Sequence, residues 1–349
     1  MVCDRPGTPL RVWVLSDAQP GHYNLSRGVV SALRRIQPVQ ESWVTVRLRV
    51  GLGRSILRLL LNHVHTPLPM GLLKLFYDIN GLPDQGCDLI VSAGGKTSFA
   101  NAWLARLKNV PNVFTGSLRR LSPVHFSVVL TLETADNAPA NLVLELPPSA
   151  LDERELEVHA TQFRNQFGAE EKPCWCMLAG GDGAGYRYRE PDWRALARLM
   201  KLLADLHDIR WLLVSSRRTG TAAEQLLADC LDEEVLAAQC WYGKGDAYSA
   251  EVWLGAAEKV FVTEDSMTML TEAICARRPV FSLRPQQSLP NDRYMRMVQR
   301  FADRGLIYRY ALSQLADQPE LLNDAQHNVL EESPQEGLSK QLGQRLGLA

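Results

Sequence analysis

Long apolar runs are missing from this 349-residue chain. Nothing approaches the roughly 18 consecutive apolar residues that a membrane-spanning helix needs. The opening MVCDRPGTPL lacks the apolar core of a signal peptide. The expectation is a soluble cytoplasmic protein that is not exported. Seven cysteines form no disulfide framework. Cys174 and Cys176 fall on one face of an expected strand, and no second Cys or His pair is spaced to complete a zinc site, so reduced core cysteines are expected. Excess charge is also absent: the net charge is −1. Residues 1–150 carry 15 Lys and Arg against 9 Asp and Glu (+6), and residues 151–349 carry 23 against 30 (−7). That split is too mild for a nucleic-acid-binding domain but suggests that the N-terminal half meets something anionic.

Three phosphate signatures are absent too. The turn after the first expected strand has only Gly21 and Gly28 nearby, so G-x-G-x-x-G does not occur there. Gly94-Gly95-Lys96-Thr97 ends like a P-loop, but the position that should hold its first glycine is Ile90, inside a strand. That leaves no room for a loop to wrap a triphosphate, which excludes nucleoside-triphosphate hydrolysis. No D-x-D pair is present to hold a divalent metal on a diphosphate.

What the chain does contain is alternating strand and helix patterns, which predict α/β architecture with doubly wound parallel sheets. The clearest unit is Lys259–Leu283. Val260–Val262 is a buried strand, Thr263-Glu264-Asp265-Ser266 a polar turn, and Met267, Leu270 and Ile274 one stripe of a helix. Arg277, Arg278 and Pro279 end that helix before the strand Val280–Leu283. Asp265 or Ser266 can cap it, and its first-turn N–H groups attract phosphate. Glu272 lies six residues past Ser266, roughly 9 Å along the helix, about the reach from a diphosphate to a ribose.

In the N-terminal half, Arg11–Ser16 is a strand that feeds the turn Asp17–Gly21 and a helix from His22 to Arg35. Asp88–Ser92 is another strand, running into Ala93-Gly94-Gly95-Lys96-Thr97 and the helix Thr97–Leu107. Asn112–Gly116 and Phe126–Thr131 read as further strands, and Pro147-Pro148 marks a linker. Between them, Arg47–Tyr77 interleaves leucines with Arg47, Arg49, Arg54, Arg58 and Lys74, with breaks at Pro67 and Pro69. It predicts two short amphipathic helices, either packed on the core or resting on anionic lipid.

In the C-terminal half, Leu151–Phe167 is a charged helix. The strand Trp175–Ala179 ends in Gly180-Gly181-Asp182-Gly183-Ala184-Gly185, a turn that lets backbone approach a ligand and present its N–H groups. Trp211–Ser215 delivers Ser216-Arg217-Arg218-Thr219, whose guanidinium forks suit phosphate oxygens without a metal; one of the two is expected to face solvent. Gln239–Tyr242 is a short strand. The Gln- and Glu-rich tail after Asp317 is expected to form loosely packed helices.

The segments D-x-x-P-G-H (17–22), S-A-G (92–94), S-R-R-T (216–219) and V-T-x-D-S-M (262–267) with the later Glu272-Ala273 resemble the bacterial relatives of the plant mitochondrial-fission ELM protein, a group treated as GT-B-type glycosyltransferases. The likeness extends over nearly the whole chain. It departs at Gly95-Lys96, where Arg is usual, at Asp246-Ala247-Tyr248, where Asn-Pro-Tyr is usual, and at Arg278, where Gly precedes the proline.

The resemblance implies a GT-B-like fold of two Rossmann-like domains facing a cleft. Residues 1–150 would be the acceptor side, 151–325 the nucleotide-sugar domain and 326–349 a tail. It implies transfer of a sugar from a nucleoside-diphosphate sugar to a cell-envelope glycan or lipid-linked acceptor, with no metal and no cofactor beyond that co-substrate. Donor-binding residues would be Gly180, Gly181, Asp182, Ser216, Arg217, Arg218, Asp265, Ser266, Met267, Thr268 and Glu272, with the base stacking near Trp241. Asp17, Gly21, Gly94, Gly95, Lys96 and Thr97 would line the acceptor side, with His22 as catalytic base. Peripheral contact with an anionic inner membrane fits the Arg47–Tyr77 stretch, and no nucleic-acid partner is expected. Two other readings stay open: a nucleotide-sugar 2-epimerase using Asp17, Asp182 and Asp265, and a non-catalytic adaptor.

Overall fold

A computed structural model describes residues 8–49, 53–64, 66–133, 138–167, 172–246, 249–324, 328, 330 and 332–348. The chain forms two units, 1–150 with 332–349, and 151–331.

The first unit is a seven-stranded sheet made of β1 (Leu10–Ser16), β2 (Val39–Leu48), β3 (Tyr77–Asn80), β4 (Leu89–Ala93), β5 (Asn112–Thr115), β6 (Val128–Thr131) and β7 (Asn141–Val143). Its order is β3-β2-β1-β4-β5-β6-β7, parallel except for β3 at the edge. The helices are α1 (Pro20–Arg34), α2 (Gly53–His63), α3 (Met70–Phe76) and α4 (Ser98–Lys108). Because side chains alternate along a strand, the central strands are apolar on both faces. Trp13, Ile90 and Phe114 meet Leu57, Leu61, Leu73 and Trp103 of α2, α3 and α4 on one side. Val12, Val14, Leu89, Val91 and Val113 meet Val29, Val30 and Leu33 of α1 on the other.

The expected tail differs here. The last helix, Pro334–Leu346, buries Leu338, Leu342 and Leu346 in that same α1-side core. Ser333 caps it through Glu336 N–H. Its polar composition concealed a stripe of leucines four residues apart, which is enough to dock a helix.

The second unit contains α5 (Glu153–Phe167), β8 (Cys174–Leu178), β9 (Tyr186–Arg187), α6 (Glu190–His207), β10 (Arg210–Val214), α7 (Thr221–Cys230) and β11 (Leu236–Cys240). These are followed by α8 (Ala250–Ala256), β12 (Lys259–Thr263), α9 (Met267–Cys275), β13 (Val280–Arg284), β14 (Gln287–Ser288), α10 (Asp292–Asp303), β15 (Tyr308–Ala311) and α11 (Leu312–Asp317). Its main sheet is all parallel, ordered β11-β10-β8-β12-β13-β15. Aromatic side chains fill one face: Phe261 stacks on Phe281 at 4.6 Å and on Trp175 at 5.6 Å, with Trp211 edge-on at 5.0 Å. Such pairs add about 0.5–1.5 kcal/mol each beyond their buried area.

Both sheets reverse their strand order at one point, between β1 and β4 and between β8 and β12. In open α/β sheets the crevice outside the carboxyl ends of those strands is where ligands bind.

The Arg47–Tyr77 stretch is divided differently from the expectation. Arg47 and Leu48 end β2, Tyr77 opens β3, and only α2 and α3 are helical, with residues 50–52 and 65 outside the described set. Cys174 and Cys176 are both buried, and burial raises the Cys176 thiol well above its ordinary value.

Candidate functional site

In the second unit the switch point is assembled from three turns. The first follows β8. Gly180 N–H donates to Thr263 Oγ1 (2.6 Å), and Gly181 N–H donates to Asp265 Oδ1 (3.1 Å). The second follows β12. Thr263 Oγ1 donates to Asp265 Oδ1 (2.8 Å), and Ser266 caps α9 by accepting from Met269 N–H (3.4 Å). The third follows β10. Thr219 Oγ1 donates to the Gly180 carbonyl (2.6 Å), as does Ser216 Oγ (3.2 Å), and Arg218 Nε donates to Asp265 Oδ2 (2.8 Å). The Asp265 side chain has no exposure, while that of Arg218 keeps 34%.

This geometry gives the glycines a different task from the one expected of them. A Cβ at Gly180 would lie 2.2 Å from Asp265 Oδ1, and one at Gly181 would lie 2.0 Å from the Arg218 carbonyl oxygen. Both glycines are needed so that two neighbouring turns can close on them. Their N–H groups are used internally, so they are not presented to a ligand. Asp265 is likewise no direct contact: its carboxylate is buried behind Arg218, and it fixes that guanidinium by Nε. Among the described residues, neither Nη group of Arg218 has a hydrogen-bond partner.

Arg217 is exposed, matching the expectation that one of the pair faces solvent. Asp182 Oδ1 accepts from Tyr188 N–H (2.9 Å) and Oδ2 pairs loosely with Arg189 (3.5 Å), so Asp182 ties its own turn to the start of α6. Met267, Thr268 and Glu272 lie half-buried on α9. Trp241 is a correction. It is 1% exposed within the aromatic core, so neither ring face can stack on a base, whereas Tyr242 beside it is 55% exposed. The Asp246-Ala247-Tyr248 departure lies partly outside the described residues.

Two carboxylates were missed. Glu264 is fully buried and receives Arg309 in bidentate fashion (Nε–Oε2 2.8 Å, Nη2–Oε1 2.7 Å), Tyr186 OH (2.8 Å) and Ser282 Oγ (2.8 Å). Its N–H donates to Tyr188 OH (2.9 Å), and its carbonyl accepts from Tyr294 OH (2.7 Å). The bond to Glu264 raises the Arg309 pKa, and burial, the largest cause, raises those of the three tyrosines. Glu264 stood in the polar turn, but nothing in the sequence linked it to Arg309, 45 residues on. Glu224 of α7 is the other. It accepts from Ser215 Oγ (2.5 Å) and Gly243 N–H (3.1 Å), fastening the Tyr242 turn to the end of β10.

In the first unit the turns after β1 and β4 meet. Both Asp17 carboxylate oxygens lie 3.0 Å from His22 Nδ1, and the Asp17 side chain is 4% exposed against 36% for His22. A carboxylate on Nδ1 selects the tautomer with a lone pair on Nε2. The imidazole lies on Gly94, where φ is +88° and a Cβ would be 2.2 Å from Nδ1. Gly21 has open space around it and Lys96 is exposed. Thr97 is buried, its hydroxyl donating to the Ala93 and Gly94 carbonyls (2.9 Å each).

The family model of mitochondrial fission ELM1 matches residues 20–332. The chain belongs to that family. No curated protein matches the sequence. Among solved structures it is similar to a UDP-N-acetylglucosamine 2-epimerase described as putative from Listeria monocytogenes (11% identity, TM-score 0.56, covering 96% of this chain and 95% of that one). It is also similar to UDP-GlcNAc 2-epimerase from Methanocaldococcus jannaschii in complex with UDP-GlcNAc and UDP (11%, 0.53, 98% and 100%). A third is ADP-heptose lps heptosyltransferase II from E. coli (14%, 0.48, 97% and 98%). With its two Rossmann-like parallel sheets, this ELM1-family chain has the GT-B-like fold.

Burial, the largest cause, raises the Asp265 carboxyl pKa, against Arg218, Gly181 N–H and Thr263, which lower it. A raised carboxyl holds its proton more tightly in the folded state. Its stabilising contribution is therefore full below the unfolded pKa and is lost as pH rises through the folded value. Denaturant unfolding of wild type and Asp265→Asn across mildly acidic to neutral pH should show the variant gaining relative stability as pH rises. A variant that loses ground over that range would mean that Arg218 outweighs burial.

Proposed function

We propose that this protein is a glycosyltransferase that takes a sugar from a nucleoside-diphosphate sugar and gives it to an acceptor hydroxyl of a cell-envelope glycan or lipid-linked saccharide. The observation that carries this reading is Arg218, held by a buried carboxylate at the switch point of an all-parallel sheet, with its Nη groups unpaired among the described residues. A guanidinium fixed by Nε offers its Nη donors to the oxygens of a departing diphosphate, where charge develops in the transition state. Arg217 and the first turn of α9, capped by Ser266, add positive potential. Glu272 is the residue for the ribose hydroxyls and Tyr242 for the base. UDP and UDP-GlcNAc in the complex named above support a nucleotide-sugar ligand on this fold.

In this reading the acceptor oxygen attacks the anomeric carbon and gives up its proton to a base. Within the first unit, His22 is the group suited to that role: Nε2 accepts the proton and Asp17 stabilises the imidazolium that forms. The bond from the anomeric carbon to the diphosphate breaks, and its electron pair leaves with the diphosphate. The charge of the diphosphate is carried by protein cations in this account, with no metal invoked.

The 2-epimerase reading needs an acid–base pair at the sugar. It is weakened because Asp265 is buried against Arg218, Asp17 is committed to His22, and Asp182 serves its own turn. Turnover of a nucleotide sugar with no acceptor would favour it nonetheless, and failure to bind any nucleotide would favour the adaptor.

Arg218→Ala should weaken binding of a nucleoside diphosphate by about ten- to a hundredfold, from loss of charge-assisted hydrogen bonds worth about 1.5–3 kcal/mol, and leave binding of the bare nucleoside nearly unchanged. Calorimetric titration with both ligands reads this directly. Equal losses would mean that the residue only shapes the pocket.

A membrane-surface acceptor fits a patch on the first unit. Ile56, Leu59 and Leu75 are 49%, 56% and 68% exposed, with Arg58 and Lys74 among them. Arg54 is a poorer candidate for contact, because its Nε is buried. Each surface cation adds about 1 kcal/mol toward anionic lipid, and salt screens that attraction. The protein should co-sediment with anionic vesicles at low salt, and Arg58→Glu with Lys74→Glu should release it. Indifference of the wild type to such vesicles would make a soluble acceptor the better reading.

A further inference from the structure

The turn that follows β4 carries a second group besides His22. A Cβ at Gly95 would lie 2.2 Å from Arg119 Nε, 2.8 Å from its Cδ and 3.1 Å from its Cγ, so the Arg119 side chain lies along the backbone of Gly95. The His22 ring lies against Gly94 in the same way. Consecutive Cα atoms are about 3.8 Å apart. An imidazole oriented by a carboxylate and a guanidinium therefore lie against two successive residues of one turn.

Arg119 is exposed and, among the described residues, has neither an ion pair nor a side-chain hydrogen bond; only its backbone N–H has a polar contact, to Ser117 Oγ at 3.4 Å. Its placement on the turn is costly. Arg119 and Arg120 are consecutive non-glycine residues with φ of +50° and +66°, a conformation that costs of order 1–3 kcal/mol per residue. Exposed Lys96 and Arg120 add positive charge close by in sequence, and the local acid, Asp17, is already taken by His22. The surplus of +6 over residues 1–150 agrees in sign.

We propose that Arg119 and the Gly94–Gly95 turn form an oxyanion subsite for the acceptor: the acceptor carries a phosphate or carboxylate next to the hydroxyl that His22 deprotonates, and Arg119 holds that anion. The proposal rests on the glycosyltransferase reading for the word acceptor, while the site itself is a property of the first unit. A guanidinium takes two oxygens of either group in bidentate fashion. It thereby fixes the ring so that one hydroxyl faces Nε2, which is the positioning contribution a base catalyst requires. It also restricts acceptors to those bearing the anion.

The test uses the full chain and the imidazole NMR resonances, with His22 assigned by its loss in His22→Gln. Inorganic phosphate and acetate are titrated separately at fixed pH and ionic strength, which distinguishes a phosphate from a carboxylate subsite. At least one of them should shift the His22 resonance saturably. Arg119→Gly, which relieves the backbone and so keeps the fold, should weaken that effect about ten- to a hundredfold, and Arg119→Lys should retain part of it. Saturating nucleoside diphosphate should leave the effect in place. The proposal is overturned by the absence of a saturable shift with both anions, by an equal shift in Arg119→Gly, or by loss of the shift when nucleoside diphosphate is bound. Failure of wild type to bind any nucleoside diphosphate would count against the glycosyltransferase reading and leave this readout intact.

Discussion

Two successive buried carboxylates, Glu264 and Asp265, set the terms for the second unit. Removing one such ion from water costs several kcal/mol even after relaxation, so each must be matched by a cation and by hydrogen bonds that fill its remaining lone pairs. Glu264 has bidentate Arg309, Tyr186 and Ser282; Asp265 has Arg218, Gly181 N–H and Thr263. Those partners come from six strands or the turns that follow them, β8, β9, β10, β12, β13 and β15. Satisfying two adjacent charges thus positions the Gly180 turn, the Arg218 turn and the start of α9 together. The half-exposed guanidinium of Arg218 is what this arrangement delivers to solvent.

The first unit uses a similar device in the opposite order. Its first strand ends in the carboxylate, Asp17 with His22, and the strand across the switch point ends in the glycines, Gly94 and Gly95. In the second unit the first strand ends in the glycines, Gly180 and Gly181, and the strand across the switch point ends in the carboxylate, Asp265 with Arg218. In both units a side chain occupies the space of a glycine's Cβ, His22 at Gly94, Arg119 at Gly95 and Asp265 at Gly180, while at Gly181 the Arg218 carbonyl oxygen does so. The difference lies in the group held: a titratable imidazole suited to moving a proton, or a permanent cation suited to a diphosphate.

Most of the sheet framework was legible because buried parallel strands such as Leu89–Ala93 and Lys259–Thr263 are short apolar runs that end in polar or glycine-rich turns. Strand β2 was not, because Val39–Leu48 mixes Gln, Glu, Ser and Arg with its apolar residues and half of it is only partly covered. The docking of the last helix on the first unit was also hidden, since it depends on contacts more than 300 residues apart, such as Gln335 with the Gly28 carbonyl. At the site, sequence pattern located the turns, yet it could not say which polar groups face one another. Glycines expected to present N–H groups spend them on Asp265 and Thr263, and Trp241 is a core residue because the turn after β11 points Tyr242 outward instead. Arg309 and Arg119 carried no local signal, as each acquires its meaning only from a side chain or turn far away in the chain.

Amide hydrogen exchange of the full chain, with and without saturating nucleoside diphosphates of each base, tests the central claim most directly. Opening of these turns exposes their internal hydrogen bonds, so a ligand held by Arg218 should slow exchange together at Ala179–Gly185, Ser215–Gly220 and Thr263–Glu272. Protection in those three segments with at least one base is the predicted result. Unchanged exchange with every nucleotide, or protection confined to the first unit, would contradict the account.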